Sequence, residues 1–172
     1  MTPEMTLEQK LATLGIDLPA APSPVGAYVS AVRTGNLIFT AGQLPLVDGA
    51  LAARGKVPAD VSLADAQAAA RQAAINALAA VGGLAGSLDA IVQIVRVNVM
   101  VNSAPGFTDQ AKVANGASEM LAEVFGQAGR HTRCAIGAAE LPLNAPVELD
   151  MIVEVAPAPP RGEEFGDTAH VV

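Results

Sequence analysis

Cysteine is nearly missing from this chain, and tryptophan is absent altogether: there is one Cys, Cys134, no Trp, one Tyr and four Phe in 172 residues. A single cysteine excludes an intramolecular disulfide, and the opening MTPEMTLEQK has neither the basic n-region nor the apolar h-region of a signal peptide, so a reducing cytoplasm is the simplest compartment. With aromatics at only 3% against 51% apolar residues overall, a core must be built from Ala, Val, Leu and Ile, side chains that let layers approach closely. Cationic runs are lacking too. Lys plus Arg number 10 against 17 Asp plus Glu, and the net charge of −7 repels polyphosphate, which argues against a nucleic-acid partner. The longest strongly apolar stretch, AIVQIVRVNVMV from Ala90, carries Gln93, Arg96 and Asn98 and is too short to cross a bilayer. Phosphate-loop, dinucleotide, zinc and nucleophile-elbow motifs are all missing. Two histidines and one cysteine give no metal-ligand set, so a metalloenzyme is not expected.

What is present reads as one α+β domain over residues 1–172. Thr6 and Gln9 form the pattern of a capping box, predicting a short helix over Leu7 to Leu14. AYVSAVRT and LIFTAGQLP are β-prone runs flanking Gly35-Asn36, a dipeptide suited to a tight hairpin. Ser62 and Asp65 mark a helix start, and Leu63, Ala66, Ala70, Ala74, Leu78 and Val81 recur at helical spacing until Gly82-Gly83, where the helix is expected to stop. From Ile94 the period changes to two, which places Val95, Val97, Val99 and Val101 on one face and Arg96, Asn98 and Asn102 largely on the other. Val113, Ala117, Met120, Leu121, Val124 and Phe125 predict a second long helix, weakened at Gly116 and ending near Gly126 and Gly129. RCAIGAAEL and VELDMIVEV are further strands joined by LPLNAP, the second with Val147, Leu149, Met151, Val153 and Val155 inward. The order ββ, α, β, α, ββ predicts a mixed sheet with both helices on one face. The opposite face, bearing Arg96, Asn98, Glu148 and Asp150, is left for water or a partner. The tail over 157–172, rich in Pro, Gly and charge, shows no periodicity.

Arg133 opens an otherwise apolar strand, so its fixed guanidinium fork must reach solvent, a structural carboxylate or a ligand carboxylate; from the residues alone these stay open. Glu148, on the polar side of VELDMIVEV, is equally ambiguous. A hairpin around LPLNAP would bring the two to one side of the sheet, although nothing in the residues fixes the offset. His131 has the chemistry of a general base but no partner can be named for it, and Cys134 reads as a small buried hydrophobe.

The segment R133-CAIGAAE-LP-LNAP-VELDMI resembles the signature of the Rid (YjgF) family. VGAY ending at Tyr28, GNLIFTAGQLP from Gly35, KVPADV from Lys56, ARQAAINAL from Ala70, and Asn115 with Glu119 are similar to further family segments in the same order, from Pro22 to Ala156. The resemblance implies a chorismate-mutase-like fold assembled as a homotrimer, with clefts between subunits and no cofactor. It also implies hydrolysis of reactive enamines and imines such as 2-aminoacrylate to a 2-keto acid and ammonia. Arg133 would bind the substrate carboxylate and Glu148 would hold the attacking water, with Tyr28, Gly42, Asn115 and the backbone of Ala135 at substrate-binding positions. Ala135 stands where many members have cysteine, and Ala41 replaces the usual serine before Gly-Gln, the marks of a divergent subgroup. A non-catalytic trimer that binds small carboxylate metabolites is the alternative; the endoribonuclease and translation-inhibitor labels attached to the family fit this acidic, aromatic-poor chain less well.

Overall fold

Three helices and a mixed sheet make up the computed structural model, which describes residues 5–23 and 26–157. The tail beyond Pro157 lies outside the described residues. Helix α1, Leu7–Thr13, begins with the anticipated reciprocal cap, the Thr6 hydroxyl accepting from the Gln9 backbone N–H and the Gln9 side chain accepting from Thr6 N–H. Strands β1 (Ala31–Thr34) and β2 (Leu37–Thr40) pair antiparallel around Gly35-Asn36. A second, two-residue hairpin follows, β3 (Leu46–Val47) with β4 (Ala50–Leu51), turning at Asp48 and Gly49 with φ of 50° and 79°. The Asp-Gly dipeptide carries that signal, which the reading of the chain passed over.

Helix α2 runs over Leu63–Ala85, straight through Gly82-Gly83. Two glycines inside a helix cost about 1 kcal/mol each against alanine, but tertiary contacts offset that here. A Cβ on Gly82 would press on Leu88 at 3.2 Å, and one on Gly83 would clash with Ala21 at 2.6 Å. The helix stops at Gly86 instead, whose φ of 84° is the left-handed C-cap that glycine adopts without strain.

Strand β5 spans Ile91–Asn102, α3 Gln110–Phe125, β6 Thr132–Ala138 and β7 Val147–Val155. Sheet order is β1-β2-β7-β5-β6, with β6 parallel to β5 and the other neighbours antiparallel. The register of β5 against β7 slips between Ile94 and Arg96, so Ile94 and Val97 both turn inward while Val95 is only half-buried. Strict alternation had placed Val95 inward; the bulge removes it.

Both long helices cover one face, and Ile38, Val97, Val99, Val101, Leu149, Met151 and Val153 beneath them are at most 1% exposed. The other face carries Arg96, Asn98, Glu148 and Asp150 as expected. It is also more apolar than the sequence suggested, because Val32 (52% exposed), Phe39 (39%) and Ile136 (52%) share it. Cys134 is half-buried on that face, in register with Asn98, rather than inside the core.

Candidate functional site

The two residues singled out as catalytic do not meet within one chain. A hairpin around LPLNAP would have paired their strands, but β5 lies between β6 and β7. Arg133 is in register with Val97, a core residue, and so points to the helix-covered side. Glu148 is in register with Met100, which pairs in turn with Ile136, on the open side. They occupy opposite faces of the sheet because their partners on β5 have opposite parity. What results is two half-sites.

The first is built at the sheet edge, where β6 meets α3. Arg133 Nη1 donates to Asn115 Oδ1 at 2.9 Å and to Ser118 Oγ at 3.1 Å. Asn115 and Ser118 are three residues apart on α3 and so share a face. That spacing is the signal by which Ser118 was detectable; the sequence reading missed it. Ser118 also contacts His131 Nε2 at 3.0 Å, and His131 Nδ1 lies 2.6 Å from the Gly129 carbonyl oxygen. Thus His131 has a side-chain partner after all. Ser118, Ala122, Gly129, Arg130, His131 and Arg133 line a cleft of about 390 Å³. Arg133 itself is solvent-exposed in the single chain. Ala135, two residues along β6 and in register with Val99, is half-buried, and as β6 is the edge strand one side of its backbone stays unpaired by the sheet.

The second half-site gathers at the start of β7. Gly42 follows β2, and a Cβ there would collide with the Glu148 carboxylate, so glycine is what allows that carboxylate to lie against the backbone. Gln43 bridges Leu149, holding the two segments together. The Ala41 N–H donates to Ser30 O at 2.9 Å and carries the chain ahead of β1, with Tyr28, toward the same end of the sheet. Tyr28 is 54% exposed, its ring near enough to Gly26 that a Cβ there would meet it at 3.3 Å. Glu148 and Gly42 therefore sit together, with Tyr28 on the segment that enters β1 beside them, and Arg133 and Asn115 sit together elsewhere, with Ala135 two residues along β6.

Burial raises the Glu148 carboxyl above its ordinary value of 4.5, and the charge of Asp150 on the same face adds to this. A carboxyl whose folded value is raised binds its proton more tightly folded than unfolded. Stability relative to a neutral side chain is therefore lost as pH rises from the ordinary glutamate range through the raised value. We expect Glu148→Gln to melt above the parent at pH 7, with the gap closing near about pH 4, in thermal unfolding followed by circular dichroism. A Gln variant that melts lower at pH 7 would mean that the carboxylate is held by a favourable partner.

The sequence matches, over residues 8–155, the family described as "YjgF/chorismate mutase-like, putative endoribonuclease". This chain belongs to the YjgF family. The protein TCP17 of Trypanosoma cruzi is 44% identical over 146 residues, 84% of this chain and 91% of that protein. A 2-iminobutanoate/2-iminopropanoate deaminase of Dermatophagoides farinae is 29% identical over 81% of this chain and 94% of its own. Among solved structures, the protein Atu1372 of Agrobacterium tumefaciens, described as of unknown function, is 44% identical with a TM-score of 0.80, covering 87% of this chain and 92% of that one. The α+β, chorismate-mutase-like architecture expected of a YjgF protein is thus present, and the family includes reactive intermediate deaminases. No helix among the described residues is long and apolar enough to cross a membrane.

Proposed function

We propose that this chain hydrolyses reactive enamines and imines of small 2-amino acids, such as 2-aminoacrylate, at a site completed by two copies of itself. The observation that carries this reading is the division of the YjgF-type residues into two half-sites on opposite faces of one sheet. A fixed guanidinium on one copy, set against a carboxylate of raised proton affinity on the next, supplies both things the reaction needs. The imino acid named for the Dermatophagoides farinae relative is itself a carboxylate, the group Arg133 is shaped to hold.

In the step itself, the carboxylate of the imine seats on Arg133. Water held by Glu148 adds through oxygen to the C=N carbon as Glu148 takes one of its protons and passes it to the imine nitrogen; the C–N bond of the resulting carbinolamine then breaks, the hydroxyl proton leaving with the nitrogen as ammonia, to give the 2-keto acid and the Glu148 carboxylate again. Because such imines hydrolyse spontaneously, orienting the acid and positioning the water accounts for the catalysis, and none of these steps requires a cofactor. The uncovered face, with Val32, Phe39 and Ile136 beside Arg96 and Asp150, supports assembly into a homotrimer.

A mixing experiment tests the shared site. Arg133→Ala and Glu148→Gln are each expected to release ammonia from enzymatically generated 2-aminoacrylate at no more than a few per cent of the parental rate, roughly a 30-fold loss or greater. Unfolded together and refolded as a 1:1 mixture, they should regain about a quarter of the parental activity, because in a closed ring that fraction of interfaces unites two intact halves. No recovery, from variants that each assemble normally, would overturn the two-copy site. Carboxylate binding by the parent without any turnover would favour the non-catalytic binder.

A further inference from the structure

The hydrogen bonds around His131 have one consistent assignment. A carbonyl oxygen can only accept, so the 2.6 Å contact to Gly129 places the proton on Nδ1. Burial, helped by the charge of Arg133, outweighs the raising effect of the Gly129 hydrogen bond and lowers the affinity of the ring for a second proton below the usual 6.5, so the neutral ring predominates at pH 7 with Nε2 as an acceptor. Ser118 therefore donates to Nε2 across 3.0 Å and turns its lone pairs to Arg133 Nη1 at 3.1 Å. Asn115 Oδ1 takes the other Nη1 proton at 2.9 Å. Both protons of that nitrogen are consumed. Nε and Nη2 make no hydrogen bond or ion pair among the described residues, and together they form the edge with two parallel donors that matches a carboxylate.

We propose that Ser118 and His131 are positioning residues that lock Arg133, so that only its Nε–Nη2 edge is presented to the substrate carboxylate. This deepens the deaminase reading and rests on it for the identity of the ligand. Neither residue touches the reacting atoms; His131 acts through Ser118, and Ser118 through the guanidinium.

The lock couples His131 to the ligand. Protonated, the ring would become a second cationic donor to the one hydroxyl already holding Arg133, in a cleft whose charged lining groups are Arg130 from the turn before β6 and Arg133 from β6. Helix α3 contributes only Ser118 and Ala122 to that lining, and no carboxylate. A bound carboxylate neutralises Arg133, so by reciprocity its binding must make His131 easier to protonate.

The test uses the full chain with 15N-labelled histidine, and pyruvate as the probe. With only His131 and His170 in the sequence, loss of one signal pair in His131→Gln assigns the spectrum. At pH 7 the His131 signals should be those of the Nδ1–H tautomer, and saturating pyruvate should raise the midpoint of their titration. In Arg133→Ala the pyruvate effect should vanish. Steady-state kinetics supply the second readout: Ser118→Ala and His131→Leu should raise KM about tenfold with kcat nearly unchanged, the loss of one hydrogen bond to a charged group, while His131→Gln, which keeps an acceptor near the Nε2 position, recovers most of it. An Nε2–H tautomer, or a titration that pyruvate leaves unmoved, overturns the lock even if imine turnover is normal. A midpoint raised by pyruvate in a protein that releases no ammonia from any imine keeps the lock and removes the deaminase reading.

Discussion

Arg133→Ala is expected to lower kcat/KM for 2-aminoacrylate by roughly 30-fold to several thousand-fold, the equivalent of about 2 to 5 kcal/mol lost when one member of a desolvated charge pair is removed. The size of that loss is informative because Arg133 is exposed in the single chain. An exposed ion pair is worth at most about 1 kcal/mol, a fewfold effect, since water screens it. A loss in the upper range therefore requires the cleft to be covered when substrate binds, as a second copy would cover it. Arg133→Lys should recover little. An ammonium cannot satisfy Asn115 and Ser118 while also offering two parallel donors to a carboxylate. Stability should change by less than about 1 kcal/mol, because the side chain supports no buried contact. Coupled assays of keto-acid release, with thermal melts alongside, check both halves. A loss below about fivefold, in a protein that melts normally, would take Arg133 out of the mechanism.

The largest effect on stability is expected at Gly116. Judged by helix propensity alone, Gly116→Ala should stabilise α3 by about 1 kcal/mol. The structure reverses the sign. A Cβ at 116 would overlap the Gln67 carbonyl oxygen of α2 and lie 2.7 Å from its carbon and 2.9 Å from its Cα, all of them backbone atoms. The two helices cannot easily part, since Gln67 Nε2 donates to Lys112 O at 2.8 Å and Ala66, Ala70, Ala114 and Ala117 beside them are fully buried. Overpacking of this kind costs about 1 to 3 kcal/mol or more, and a domain of this size should melt roughly 3 to 10 °C lower. Calorimetry that finds Gly116→Ala at or above the parent would show that local propensity, not close helix approach, decides the position.

The same residue shows what a sequence can and cannot tell. Gly116 was legible as a weak point in a helix; that it is the point where α3 rests on α2 depends on an atom 49 positions away. The elements themselves were readable because each is governed by neighbours along the chain. Thr6 with Gln9, Ser62 with Asp65, Gly35-Asn36, and the alternation from Val147 to Val155 all act within a few residues, and each appears as read. Departures came where a distant group outweighed the local rule. Leu88 and Ala21 pack against Gly82 and Gly83 and carry the helix past them, and the slip between Ile94 and Arg96 is set by pairing with β7.

The residues of the candidate site were legible in the same uneven way. Arg133, Glu148, Tyr28, Gly42, Asn115 and Ala135 were proposed by resemblance, because a family pattern records residue types in order. Their grouping was not found, because β5 comes to lie between β6 and β7 only on folding, and the parity of its register sends Arg133 and Glu148 to opposite faces. Ser118 and His131 show the limit most plainly: a serine in the middle of a helix and a histidine before a strand carry no joint signal over 13 positions. The sequence by itself determined the family, the helices and most strands, and the chemical types available, since these follow from local spacing and residue order. Tertiary structure alone decided that the types form two half-sites and that Arg133 is held by one nitrogen with its carboxylate-matching edge left open, because facing and hydrogen-bond direction exist only once strand register and helix packing are fixed.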